Sequence, residues 1–461
     1  MSTPVPPPGC PAHGLDPEAI TRLHEADDPM ALYGKLRAEH GSVAPVFVQG
    51  DLPAWLVLGY QENLEVARNP SRFARDPRTW RVQQEGGVPA DHPLGPMLTW
   101  WPVVNFTDGP THERLRDAVT DSLQKFGRRG IRRYVDHFAN QLIDGFTAKG
   151  RADLVEDFAA QLPMLVMTQL VGAPDEHGPL LVEAVRDMLK GTETALASDQ
   201  HVTTTLQQLV AAKRAHPGHD LTSWLLEHPS KLTEVEVLAH VRVVLVAAYE
   251  TTANLIANTL RVVLTDRRFR ANLSGGQMTL PDALEQVLWD QPPLNTVLGR
   301  WAIGDTVLGG RQIQAGDMLL LSLAAGNVDP AIRPDLSDPV HGNRAHLAFS
   351  SGAHECPGQD IGRAIADTGI EVLLGRLPDL ELAVPETELE WRGTLMSQHL
   401  VGLPVTFTPK PARGSGPAAA TPAPAAPLPE SAVPVAAPPV AAPPAVQERR
   451  RPWWRRWFGG R

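Results

Sequence analysis

Residues 349–363 constrain the chain more than any other stretch, and they contain a single cysteine in a glycine-containing loop. Gly352 and Gly358 flank Cys356. Glycine lets a backbone turn sharply and approach a flat ligand closely. Apolar residues then repeat at helical spacing, which predicts a helix directly after the loop. These residues are Ile361, Ile365, Ile370, Leu373 and Leu374.

The position of Cys356 suggests a metal ligand. A thiolate just before a helix N-terminus is stabilised by the helix dipole and by free N–H groups, and such a sulfur donates electrons strongly to a metal. Phe349 would pack beside the sulfur and exclude water. The alternative is an ordinary buried cysteine in a turn, since free cysteine is often a small core residue.

The loop resembles the haem-binding loop of the cytochrome P450 family, Phe-x-x-Gly-x-x-x-Cys-x-Gly. Phe349, Gly352, Cys356 and Gly358 match all four fixed positions. The resemblance implies haem b (iron protoporphyrin IX) with Cys356 as the iron ligand and Phe349, Gly352 and Gly358 as cofactor-binding residues. It also implies a mainly α (α+β) triangular-prism fold with a small N-terminal β-rich lobe.

Composition excludes several classes of protein. Of the 461 residues 43% are hydrophobic, which suffices for a large core, and the net charge of −10 argues against nucleic-acid binding. The two cysteines, Cys10 and Cys356, make no disulfide framework and fit a reducing cytoplasm. Neither a secretory signal nor an uninterrupted apolar run of about 18 residues is found, so we expect no spanning helix.

Composition also divides the chain. We predict a flexible lead-in over residues 1–25, a haem domain over 26–408 and a disordered Pro/Ala-rich linker over 409–448. The tail, residues 449–461, holds six arginines, three tryptophans and no acidic residue. Such a tail suits an anionic membrane surface or an acidic protein partner, and the alternative is a tail without a role. The predicted location is the cytoplasm, or its periphery at a membrane.

Local patterns predict several elements. We expect helices over residues 30–40 and 61–67, and strands over 43–48 and 54–58. The first strand should lie at a sheet edge because it contains Pro45. Thr233 and Glu236 form a capping box before a long apolar helix that reaches about Leu264. By the resemblance, the irregular residues 77–106 and the helical residues 175–215 border the substrate pocket.

Four basic residues are candidates for cofactor binding. His112 and Arg116 are four residues apart on one predicted helix face, and two basic groups so placed can grip a dianion. Taken alone, such a pair is most often part of a solvated helix face. The resemblance makes both of them haem-propionate ligands and adds Arg300 and His354 to the set.

The long apolar helix carries polar residues at its centre, in Ala247-Ala-Tyr-Glu-Thr-Thr252. Polar groups inside a buried helix are costly without partners. They resemble the family's oxygen-binding motif, which implies that Thr251 hydrogen-bonds dioxygen and Glu250 supplies protons. Ala248 stands where the family usually has glycine. The alternative for Thr251 is a hydroxyl bonded back to the preceding turn.

One family motif is broken. A buried Glu-x-x-Arg ion pair is expected in the helix before Pro292, but Gln286 and Trp289 occupy its positions. We hypothesise that Arg344 stacks on Trp289 and hydrogen-bonds Gln286, since replacing both members of a buried pair can be nearly neutral. The Glu-Gln-x-x-Trp form resembles one actinomycete subgroup of the family.

The resemblance implies a haem-thiolate monooxygenase that activates O2 to hydroxylate or epoxidise a small, largely apolar organic molecule. No flavin or iron–sulfur motif occurs, so ferredoxin and ferredoxin reductase are the expected electron donors. A competing hypothesis is a low-turnover haem-binding sensor or signalling partner recruited through its basic aromatic tail. The broken ion pair and the tail motivate that alternative, whereas an intact Glu250-Thr251 pair argues against it.

Overall fold

A computed structural model describes residues 20–25, 28–88, 92, 94–174, 177–190, 193–276, 278–338, 340 and 342–413. Most of the predicted lead-in, almost all of the Pro/Ala segment and the whole Arg/Trp tail lie outside these residues. Within them the α-helices are α1 (Pro29–His40), α2 (Tyr60–Arg68), α3 (Arg81–Gln84), α4 (Gly95–Leu98), α5 (Gly109–Gln124), α6 (Arg128–Phe146), α7 (Leu162–Val171), α8 (Gly178–Lys190), α9 (Ala195–Ala215), α10 (Leu221–Glu227), α11 (Glu234–Thr265), α12 (Arg267–Ser274), α13 (Leu280–Asp290), α14 (Leu323–Asn327) and α15 (Gln359–Arg376).

Short strands accompany these helices. They are β1 (Thr21–Arg22), β2 (Val43–Val48), β3 (Leu52–Val57), β4 (Phe73–Ala74), β5 (Arg151–Asp153), β6 (Thr296–Ala302), β7 (Thr306–Leu308), β8 (Arg311–Ile313), β9 (Met318–Ser322), β10 (Glu381–Leu382), β11 (Trp391–Gly393), β12 (Gln398–Leu400) and β13 (Pro404–Thr406). The largest sheet has the order β1-β2-β3-β9-β6-β4, a second has β10-β13-β5, and β7-β8 and β11-β12 are antiparallel pairs.

The large sheet corrects one prediction from the sequence. β2 is not an edge strand, because β1 pairs with it in parallel at Val46 and Phe47. Pro45 faces Trp55 of β3 and precedes both of these contacts, so its missing N–H does not prevent the pairing. The same pairing places Thr21–Arg22, which are part of the predicted lead-in, in the sheet.

The predicted long helix is confirmed as α11. Thr233 and Glu236 form both hydrogen bonds of the capping box, which satisfy orphan N–H groups at the first turn. By length and composition α11 could cross a membrane, but 61% of its most apolar window is buried inside the protein. It packs against α7, α9 and α15, as expected for a central helix of a helical core.

The functional site lies where these layers meet. α11 packs on α15, and the cysteine loop precedes α15 directly. The strands β6 and β9 pair with a register shift between Val297 and Arg300. Such an irregularity redirects side chains, and it delivers Arg300 to the cavity beside the loop.

Candidate functional site

The cysteine loop has a defined backbone. The Cys356 N–H donates to the Phe349 carbonyl at 2.9 Å, which closes the loop on itself. Gly352 has φ +72°, and a Cβ there would lie 2.5 Å from the Ala67 carbonyl oxygen of α2. Gly352 is therefore required for packing on α2, whereas a Cβ at Gly358 would project into open space of the cavity. Of the two glycines, Gly358 is the one that leaves room for a flat ligand.

A largely apolar cavity separates the loop from α11. Cys356, Phe349 and Gly358 line one side, and Ala248 and Thr251 line the other. Further apolar lining comes from Val104, Val119, Val243, Val244, Leu255, Leu294 and Val297. A flat, mainly apolar group fits between the sulfur and the central helix.

Burial is the largest influence on the pKa of the free Cys356 thiol. It raises the pKa of Cys356, while the Gly358 N–H and the charge of Arg116 act in the opposite direction without prevailing. The expected stabilisation by the start of α15 is thus present but insufficient in the protein alone. A coordinating cation deprotonates such a thiol outright, so the sulfur suits a metal ligand better than a free nucleophile.

All four basic residues predicted from the sequence line or adjoin one end of this cavity. His112 and His354 lie with ring centroids 4.1 Å apart, and Arg116 and Arg300 line the same space. His354 Nε2 donates to Asp108 at 3.3 Å. Burial lowers the pKa of His354 to about 3, and it lowers the pKa of Arg300 well below its usual value. Both pKa shifts have the same cause, because removal from water disfavours the charged form of a basic side chain.

Arg75 is a further member that the sequence did not reveal. Its Nη1 donates to the carbonyls of Leu298 and Gly299 at 2.5 and 2.6 Å, and its Nε donates to Asn105 at 3.0 Å. Burial lowers the pKa of Arg75 to about 10, against the opposing charge of Asp108. It follows β4 in a segment without a recognisable motif, so only its long-range contacts identify it.

The basic group fits the carboxylates of a haem. The Asp108 carboxylate accepts hydrogen bonds from His354 and from the backbone N–H groups of Arg75 and Asp76, so it has little remaining capacity to accept hydrogen bonds from the other basic residues. Burial alone would raise the pKa of Asp108, but these hydrogen bonds hold it below its usual value. The buried Nε2 of His112 makes no hydrogen bond within the described residues. The buried guanidinium of Arg300 and the unbonded imidazole nitrogen of His112 are costly, and a dianionic ligand would satisfy both.

The polar residues of α11 point in different directions. Thr251 lines the cavity, and its hydroxyl donates to the Ala247 carbonyl at 2.8 Å, which is the local bond that the sequence left open as the alternative. Glu250 turns aside and accepts from the buried Ser397 hydroxyl at 2.7 Å, in the turn between β11 and β12. Ser397 is another residue that the sequence did not identify.

Individual relatives, rather than a family model, show which proteins this chain is similar to. No model of a known protein family matches the chain. The chain is 32% identical over 395 residues to the cytochrome P450 monooxygenase PikC of Streptomyces venezuelae, covering 83% of this chain and 92% of PikC. The chain belongs to the cytochrome P450 family. It is also 30% identical over 414 residues to the 2-hydroxy-5-methyl-1-naphthoate 7-hydroxylase of Streptomyces carzinostaticus, covering 86% of this chain and 97% of that enzyme.

The fold gives the same assignment. CYP154C4 from Streptomyces sp. ATCC 11861 superposes with a TM-score of 0.76 at 28% identity, covering 84% of this chain and 98% of that one. The predicted family and the mainly α fold with small β-sheets are thereby confirmed. This cytochrome P450 is a monooxygenase, an oxidoreductase acting on paired donors with incorporation of molecular oxygen, and the family implies a haem-thiolate cofactor.

The broken motif of this cytochrome P450 is arranged differently from our hypothesis. Within the described residues Arg344 neither stacks on Trp289 nor hydrogen-bonds Gln286, whose side chain bonds Asp290 and the Val340 N–H instead. The guanidinium of Arg333 lies 5.4 Å from the centroid of the Trp289 ring, and the indole N–H donates to the Asn343 carbonyl at 2.8 Å. Arg344 instead lies 3.4 Å from Glu285. The sequence argument failed because Glu285, one residue before the expected position, is the buried carboxylate of α13.

Proposed function

We propose that this cytochrome P450 binds haem b and hydroxylates or epoxidises a small, largely apolar organic molecule. The observation that carries the proposal is the cavity between Cys356 and α11. Most of its wall on the α11 side is apolar, and the polar side chains there are uncharged or weakly basic; the apolar members are Val243, Val244, Ala247, Ala248 and Leu255, and the polar ones are His240, Thr251 and Thr252. A wall of this composition favours neutral, apolar molecules, because a charged substrate would be desolvated without a partner.

We assign the following roles in haem binding to the residues that line or adjoin the cavity. Cys356 ligates the iron, with Phe349, Gly352 and Gly358 shaping its loop. His112, Arg116, Arg300 and His354 hold the propionates, and Arg75 joins them because it lines the same space. Haem, when bound, supplies the one-electron and oxygen chemistry.

Thr251 and Glu250 would control protons on the substrate side. The Thr251 hydroxyl, already donating to Ala247, presents its oxygen lone pairs to the cavity and can pass a proton along. The bond from Ser397 orients the Glu250 carboxylate, which would exchange protons with water and deliver them toward Thr251. His240 accepts from the Val104 N–H at 3.0 Å and so connects Val104, which lines the cavity, to α11.

Electrons would come from a ferredoxin and its reductase in the cytoplasm. The tail, residues 449–461, would add peripheral contact with an anionic membrane surface or an acidic protein partner, for which its six arginines are the support. A low-turnover sensor gains no support from the relatives, which are monooxygenases.

Oxygen uptake with a surrogate ferredoxin system tests the proposal. We expect uptake to rise with some member of a panel of neutral apolar molecules and to yield an oxygenated product. Thr251→Val should lower the product formed per O2 consumed by about tenfold or more. The matched control is Thr259→Val, because the Thr259 hydroxyl makes the same kind of bond, to Leu255 at 2.7 Å, farther along α11. Equal coupling in both variants, or no product across the panel, would contradict the proposal.

A further inference from the structure

A buried carboxylate next to the broken motif has no role in the function described so far. Glu285 lies on α13, directly before Gln286, and its side chain is only 4% exposed. An ionised group so well buried requires partners of opposite charge and full hydrogen bonding. The partners of Glu285 come from the two sides of the cysteine loop.

The first partner follows the loop. Arg363 of α15 donates from Nε to Glu285 Oε1 at 2.6 Å and from Nη2 to Oε2 at 3.2 Å. This two-pronged contact is the geometry that makes an arginine–carboxylate pair strong and directional. The same guanidinium lies 4.4 Å from the ring centroid of Phe349, which lines the cavity beside the sulfur. Arg363 therefore links α13, α15 and the aromatic residue of the loop.

The second partner precedes the loop. His346 Nε2 lies 2.8 Å from Glu285 Oε2, and its Nδ1 accepts from the Ala348 N–H at 3.2 Å. Because Nδ1 accepts, the proton must lie on Nε2, and the neutral ring can donate to the carboxylate while it caps the turn Leu347–Phe349. The His346 side chain is 1% exposed, so these bonds do not compete with water.

Glu285 thus joins the chain before the loop to the chain after it. The loop closes on itself through the Cys356 N–H and the Phe349 carbonyl, and His346 and Arg363 lie outside that closure on either side. A displacement of His346 would reach the sulfur through the backbone at Phe349, and a displacement of Arg363 would reach it through the Phe349 ring and the start of α15. Arg344, 61% exposed, lies 3.4 Å from the same carboxylate and contributes less because water screens it.

We propose that Glu285, His346 and Arg363 are positioning residues that hold Cys356 at the iron, in place of the ion pair that Gln286 and Trp289 cannot form. The proposal rests on the proposed function in one respect, since it requires Cys356 to be the iron ligand. It explains how the chain keeps a family fold without the family's ion pair.

The test compares Glu285→Gln with the neighbouring variant Gln286→Ala in the haem-loaded full chain. Gln286 is a matched control because it lies on the same helix, and among the described residues its side chain bonds Asp290 and the Val340 N–H but not the cysteine loop. The reduced, carbon-monoxide-bound spectrum separates thiolate from other axial ligation. We expect Glu285→Gln to shift a substantial share of the molecules out of the thiolate form, and Gln286→Ala to leave the spectrum unchanged.

Amide exchange supplies a second readout that does not depend on haem chemistry. Losing a charge-assisted hydrogen bond should speed exchange at the Ala348 and Cys356 amides by about tenfold or more in Glu285→Gln. If Glu285→Gln does not fold, Arg363→Lys replaces it, because lysine keeps the charge and loses the two-pronged contact. A smaller effect of the same sign is then expected.

The outcomes separate the two claims. Unchanged spectra and exchange rates in both Glu285→Gln and Arg363→Lys would overturn the positioning role. Effects equal to those of Gln286→Ala would overturn it as well. If Cys356→Ser kept the wild-type spectrum, the proposed function itself would fail, whatever the Glu285 variants show.

Discussion

The Glu285 cluster makes a quantitative prediction about acid stability. Burial by itself would raise the pKa of this carboxyl, but hydrogen bonds from His346 and Arg363 and the Arg363 charge lower it from 4.5 to about 2. These two residues and Arg344 are the charged or titratable groups facing it from α15 and from the preceding loop. A depressed carboxyl pKa means that the folded protein binds the proton less readily than the unfolded chain.

The sign and size follow from that difference. Above about pH 4.5 the ionised carboxylate contributes its full share of stability, and the share is lost as the pH falls toward 2. A shift of this size corresponds to about 3 kcal/mol in total, of which about 2 kcal/mol disappears between pH 5 and pH 3. The discount for solvent screening is small because the side chain is 4% exposed.

Urea unfolding of the haem-loaded protein at pH 5 and pH 3 measures this share. Wild type should exceed Glu285→Gln in free energy of unfolding at pH 5, and the gap should shrink by about 2 kcal/mol at pH 3. Glu371→Gln is the control, since Glu371 is 53% exposed and pairs with the half-exposed Arg132. A gap for Glu285→Gln that does not change with pH would refute the reasoning.

Three further perturbations test other contacts. Arg75→Met should release haem about tenfold faster or more, because a half-buried cation at the proposed propionate site is lost. Stopped-flow haem transfer would show this, and an unchanged rate would remove Arg75 from the site. Ser397→Ala should lower the free energy of unfolding by about 1–3 kcal/mol, because the Glu250 carboxylate loses its hydrogen bond. Urea titration at neutral pH measures this change, and an unchanged free energy of unfolding would show that the contact does not stabilise the protein. Burial lowers the pKa of His240 below 6.5, so wild type should lose stability as the pH falls below about 6.5, and His240→Phe should lose less; parallel pH profiles would contradict this.

Features encoded within a few residues were predictable. The cysteine loop and the capping box of Thr233 and Glu236 follow from spacing alone, because their partners lie within one or two turns. His112 and Arg116 could be proposed for the same reason. Their assembly with Arg300 and His354 was predictable only through resemblance to a family.

Contacts between distant segments could not be predicted from the sequence. Glu285 and Arg363 are 78 residues apart, and neither position is marked by a local pattern. β1 has only two residues, too few to show an alternation, so β2 was wrongly placed at the sheet edge. Trp289 was assigned the wrong cation for a similar reason, since Arg333 and Arg344 both lie in the irregular segment that packs against α13.

The most direct test of the account is the reduced, carbon-monoxide-bound absorption spectrum of the purified protein and of Cys356→Ser. We predict the spectrum of a thiolate-ligated haem for wild type and its complete loss in the serine variant. Purified protein without porphyrin, or a serine variant with the wild-type spectrum, would contradict the assignment of Cys356 as the iron ligand.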